Sequence, residues 1–162
     1  LQGQKDAALA EWRQTVALEP SFYFRHFELG EVLRVYFNSP GEAVTEYQTA
    51  LSLYGGYTPT INRLGQALLA TNKPKEAIPQ FQRALTLEPG NVDNSMYLGI
   101  ALGQANQCGQ AIPYFQQALR LSPENSIAQK GLSDCQAGKA PALASPPPPP
   151  VPLTPPIVAP KP

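Results

Sequence analysis

The stretch that decides the fold is AIPQFQRALTLEP, residues 77–89, because it returns as AIPYFQQALRLSP at residues 111–123. The two copies lie 34 places apart. In each, an Ala, an aromatic four places on and a second Ala three later fall on one face of a helix. Stepping back from Ala77, Phe81 and Ala84 recovers Ala43, Tyr47 and Ala50, and further back Ala8, Trp12 and Thr15. Such a face lets a neighbouring backbone come close beside the small residues while the ring fills the remaining space. Pro20, Pro89 and Pro123 stop three of these helices, with Gly55 at the corresponding place in the other.

A second helix pattern alternates with the first. Leu64, Gly65 and Leu68 recur as Leu98, Gly99 and Leu102, and earlier as Leu29, Gly30 and Leu33. A glycine inside a helix costs about 1 kcal/mol against alanine, so three in register point to close helix packing. Between the two helices of every unit stands a residue suited to positive φ, namely Gly3, Asn38, Asn72 and Asn106. Period-two alternation is lacking, so strands are not expected and the eight prolines upstream of Pro141 read as punctuation between helices.

These residues carry a resemblance to the tetratricopeptide repeat (TPR) family, whose helix-turn-helix units share this period and framework. It covers Leu1 to Asn125, and Ser126 to Gln136 reads as a terminal solvating helix. The expected fold class is all-α: a TPR-type helix-turn-helix solenoid of about three and a half repeats, then a disordered proline-rich tail. Residues 1–20 would be the second helix of a truncated first repeat. Repeats 2, 3 and 4 would occupy 21–55, 56–89 and 90–123, with a capping helix over 124–137 and the tail over 138–162.

Departures from the pattern carry their own expectations. Where the family favours a bulky residue near the start of the first helix, Ile61 fits, but Ser95 and His26 predict thinner packing. Gly30 to Asn38 is eight steps, whereas Gly65 to Asn72 and Gly99 to Asn106 are seven, which predicts a bulge or lengthened turn near residues 35–37. The missing first helix of the first repeat leaves the apolar face of residues 7–18 for something upstream to cover, or for self-association.

The resemblance implies a non-enzymatic scaffold that holds a peptide or helix of a partner protein in a concave groove lined by the first helices. The candidates it places there are Phe24, Phe27, Glu31 and Arg34, then Asn62, Arg63, Gln66 and Leu69, then Asp93, Met96 and Ile100. This lining suits a segment with hydrophobic anchors and few charges. Only Arg34 and Arg63 could meet a carboxylate, so the subfamily's clamp for an acidic C-terminus is not expected. The alternative is a regulatory or substrate-selecting segment of a larger enzyme, such as a transferase.

Composition narrows the classes further. Twelve basic against twelve acidic residues give no field to gather nucleic acid, and no run of about 18 apolar residues could span a bilayer. Catalytic residues, metal ligands and cofactors are not expected. His26 is the only histidine, with no carboxylate set beside it on its own helix, and GQANQCGQ from Gly103 lacks the Lys-Ser/Thr of a phosphate loop. A disulfide between Cys108 and Cys135 is conceivable in an oxidising compartment, but their spacing proves nothing, and two ordinary cysteines is the first reading. From Pro141 onward eleven of twenty-two residues are proline, which reads as a polyproline II spacer first and a ligand for an aromatic groove second. Leu1 is not an initiator Met, which predicts a piece of a longer or processed product, and the compartment is not legible.

Overall fold

Glycine against aromatic ring is the contact from which the architecture is built. A Cβ added to Gly65 would lie 2.5 Å from the Phe81 ring, and one added to Gly30 equally close to the Tyr47 ring. Phe115 is held between two glycines, Gly99 and Gly131, at 2.8 and 2.5 Å by the same measure. The computed structural model describes residues 2–143, and every regular element among them is helical. In order these are α1 (Gln2–Leu18), α2 (Tyr23–Tyr36), α3 (Pro40–Leu53), α4 (Thr58–Ala70), α5 (Pro74–Leu87), α6 (Val92–Gln104), α7 (Cys108–Leu121) and α8 (Ser126–Gln136).

They group into two compact units. The first, ending at Tyr57, holds α1 against α2 and α2 against α3; the second packs α4 through α8, each on its successor, with α6 also touching α4 and α8. The aromatic places of the 34-residue pattern, Trp12, Tyr47, Phe81 and Phe115, are all fully buried, as are Ala43, Ala50, Ala77, Ala84, Ala111 and Ala118. Because a ring sits on a bare glycine backbone, paired helices approach more closely than Leu–Leu packing allows.

Turn chemistry follows the asparagines. Asn38, Asn72 and Asn106 have φ of 50°, 59° and 61°, a conformation asparagine tolerates better than most side chains. After α4 and α6 the chain closes with Lys73 N–H donating to Leu68 O and Gln107 N–H to Leu102 O, both at 2.8 Å. After α2 the corresponding bond runs from Ser39 N–H to Leu33 O, so the extra residue is taken up inside the closing turn and α2 continues without a bulge. Asn91 and Asn125 cap α6 and α8, their side chains accepting from the N–H groups of Asn94 and Ala128.

Several expectations need correction. Gly3 lies within α1 and does not adopt positive φ, so it marks no turn. Pro79 and Pro113 are inside α5 and α7 instead of between helices, on exposed faces where water can meet the carbonyl each leaves unbonded. The packing near Ser95 and His26 is not thin: both are buried. His26 does meet a carboxylate, from a different helix, with Nδ1 at 2.8 Å from Glu46 and Nε2 at 3.1 Å from the Pro20 carbonyl. Both ring nitrogens are thereby occupied.

The cysteines are the largest revision. Cys108 at the start of α7 and Cys135 near the end of α8 form a disulfide, their Cα atoms 5.0 Å apart. The repeat brings the two helix ends together, a proximity that a separation of 27 residues does not reveal. Beside it the chain turns at Gly138, φ 70°, with Lys139 N–H donating to Asp134 O. Pro141 then lies buried on Gly103 of α6, its carbonyl accepting from Gln104 Nε2 at 3.2 Å. Residues 138–143 therefore belong to the folded part, and the proline-rich tail proper, residues 144–162, lies outside the described residues.

Candidate peptide-binding face

The first helices α2, α4 and α6 carry all eleven groove candidates, and the two units treat them differently. In the second unit, Thr58–Ala70 and Val92–Gln104 pack so that Asn62, on the exposed side of α4, meets Asn94 of α6. Asn62 Nδ2 donates to Asn94 Oδ1, Gln66 Nε2 donates to Asn62 Oδ1, and Arg63 Nη1 donates to Gln66 Oε1 at 3.2 Å. A polar chain thus runs from a guanidinium through three amides across two helices.

Each amide carries two donors and an acceptor with two lone pairs, so the ladder keeps unused capacity. Asn94 is 1% exposed and its Nδ2 has no partner among the described residues. Asn62 and Arg63 remain half-buried and Asp93 exposed, while Leu69, Met96 and Ile100 are buried. The structure brings together Asn62, Arg63 and Gln66; it does not bring Asp93 into the same bonded set. Asn94 escaped sequence reasoning, although asparagine three places past the Asn91 cap is the signal that could have found it.

In the first unit the two charged candidates are spent internally. Glu31 is fully buried and its carboxylate takes both Arg34 Nε and Nη2, at 3.1 and 3.0 Å, together with the Tyr47 hydroxyl. Burial would lower the Arg34 pKa, but the hydrogen bond and charge of Glu31 outweigh it and the guanidinium is held charged more firmly than usual. Tyr47 is pushed well above the ordinary tyrosine value by burial first and by the Glu31 charge second. Arg34 Nη1 is buried and has no hydrogen-bond partner among the described residues.

Around the start of α2 the side chains are aromatic. Phe24 is half-buried and Phe27 buried, with their ring centres 5.7 Å apart. Tyr57 meets both, edge-on, at 6.1 and 5.3 Å. Tyr23 stands between Tyr54 and Tyr57, at 4.9 and 5.5 Å, and Phe22 joins it at 5.8 Å. Phe22 and Tyr54 are exposed.

Comparison with known proteins matches this architecture. The tetratricopeptide repeat family model matches residues 60–91, and a second tetratricopeptide repeat model matches 98–144. The chain is a tetratricopeptide-repeat protein. Among solved TPR-type structures, MamA superposes with a TM-score of 0.77 at 19% identity, over 85% of this chain and 80% of that one. YrrB, a TPR protein with an unusual peptide-binding site, gives 0.73 at 21% identity over 83% and 69%. The first TPR domain of human RPAP3 gives 0.67 at 17% over 74% and 93%. No curated protein sequence matches the chain. Among the described residues no helix is long and apolar enough to cross a membrane, and no group of three or more His, Cys, Asp or Glu residues could hold a metal.

Proposed function

We propose that this TPR array is a non-enzymatic scaffold that holds an extended segment of a partner protein along the first-helix face. The observation that carries the reading is the amide ladder Arg63–Gln66–Asn62–Asn94. An extended peptide presents N–H and C=O groups that need partners once water is removed, and spare amide capacity supplies both. Arg63 is the half-buried arginine among the groove candidates, whereas Arg34 is buried and ion-paired with Glu31. The preferred segment therefore carries few charges and at most one carboxylate near Arg63. YrrB, with its peptide-binding site, supports the reading by likeness of fold.

The test is selection of peptides from a display library on the full chain, followed by calorimetric titration of the best binder. An Asn62→Ala, Arg63→Ala variant is expected to bind about tenfold more weakly, from two lost hydrogen bonds at about 0.5–1.5 kcal/mol each. Unchanged affinity with intact helicity would remove the ladder from the site.

A further inference from the structure

The aromatic cluster of the first unit has no counterpart in the later repeats. Tyr23, Phe24 and Phe27 stand where the next repeat has Thr58, Pro59 and Asn62 and the one after has Val92, Asp93 and Met96. Tyr54 corresponds to Glu88 and Ser122, and Tyr57 to the helix-capping residues Asn91 and Asn125. Two repeats thus pack without any of these rings, and Tyr57 occupies a place where asparagine would stabilise the following helix. The result is an aromatic surface with ring centres 4.9–6.1 Å apart, open to solvent at Phe22 and Tyr54.

Aromatic surfaces of this kind recognise polyproline II segments. Prolyl rings lie flat against aromatic faces, tyrosine hydroxyls donate to carbonyls that have no internal partner in this helix, and little chain entropy is lost because the segment is already extended. The same chain carries such a segment. Residues 144–162 contain ten prolines, among them the unbroken run Pro146–Pro150, and their only charged side chain is Lys161. The last described residues already lie on a first helix, with Pro141 seated on Gly103 and bonded to Gln104 of α6. Nineteen residues at about 3.1 Å each reach about 60 Å, close to three times the length of a 14-residue helix.

We infer that the aromatic cluster around Tyr23, Tyr54 and Tyr57 is a docking site for the proline-rich segment 144–162 of the same chain. Tethering raises the local concentration of the segment, so it occupies the cluster ahead of a free ligand of equal affinity. The inference shares Phe24 and Phe27 with the groove reading above and rests on that reading only there. The segment then acts as an intramolecular occupant of the cluster, which any other ligand for these rings must displace.

The test places a nitroxide on a Val151→Cys variant of the full chain, the two native cysteines being closed in their disulfide, and records backbone amide signals. Docking broadens Tyr23, Phe24, Tyr54 and Tyr57, with loss of most of their intensity. The loss vanishes when Pro146–Pro150 are all replaced by Ser, and again in a Tyr23→Ala, Tyr54→Ala variant whose circular dichroism is unchanged. Even broadening along all eight helices, or broadening that survives either replacement, overturns the inference. So does broadening that arises only between a spin-labelled copy and an isotope-labelled one. Binding of the selected peptide is measured separately on the Ser variant: its loss with Asn62→Ala concerns the ladder alone, so the two readings fail independently.

Discussion

The two units solve one packing problem with different chemistry. Where α2 and α3 meet, Glu31, Arg34 and Tyr47 form a buried charged triad; at the same framework places the later repeats carry Gln66, Leu69 and Phe81, then Ile100, Gly103 and Phe115. All three positions change together. A tyrosine hydroxyl on the buried ring draws a carboxylate inward, and the carboxylate requires a guanidinium, since burying a lone charge is prohibitive. A phenylalanine at that place demands nothing polar, which leaves Gln66 free to join a ladder near the surface. One oxygen atom therefore separates a groove candidate spent on the core from one that joins the amide ladder.

The most damaging way to break the comparison is Glu31→Ala, which strands Arg34 in the interior and should cost about 3–5 kcal/mol in urea unfolding. Replacing the triad by its counterparts, Glu31→Ile with Arg34→Leu and Tyr47→Phe, should recover most of that loss, because a packed apolar set replaces a buried ion pair at little or no cost. A triple variant as unstable as the single one would contradict the equivalence. Next in size is the second unit's disulfide. Cys108→Ala with Cys135→Ala should lower stability by about 3 kcal/mol and raise hydrogen exchange in α8 and residues 138–143 while leaving α2 and α3 unchanged.

Gly65→Ala should be smaller. The added methyl meets the Phe81 ring at 2.5 Å, an overpacking cost of about 1–3 kcal/mol partly offset by about 1 kcal/mol of helix propensity. Smallest is a pH effect confined to the first unit. Because Tyr47 is held above its ordinary value, the folded state keeps its proton where the unfolded chain has released it. Stability should accordingly fall as pH rises from about 10, and Tyr47→Phe, though less stable at neutral pH, should show a shallower alkaline decline in thermal unfolding.

Which parts of the molecule could be read from sequence follows from how far each interaction reaches. The aromatic and alanine faces, the glycines beneath them and the three asparagine turns are local or recur in phase, so periodicity exposes them. The extra residue after Gly30 was countable, although only the bond from Ser39 to Leu33 shows where it went. The pairing of His26 with Glu46, the disulfide and the seat of Pro141 on Gly103 join residues 20, 27 and 38 apart, and no spacing rule encodes them. At the candidate face, Asn62 and Gln66 stood out as unrepeated polar residues. Glu31 and Arg34 looked alike to that criterion, and the distinguishing mark was Tyr47, sixteen places away on a helix otherwise read as framework.

In the proposed mode of binding, unrepeated residues of the first helices hold the partner while the repeated ones hold the fold. It is tested most directly by following the side-chain amide resonances of Asn62, Gln66 and Asn94 as the selected peptide is titrated into the isotope-labelled full chain. These signals should shift most and saturate with the calorimetric affinity. Largest shifts instead on the second helices, at Gln82 and Gln117, with the ladder amides unmoved, would contradict it.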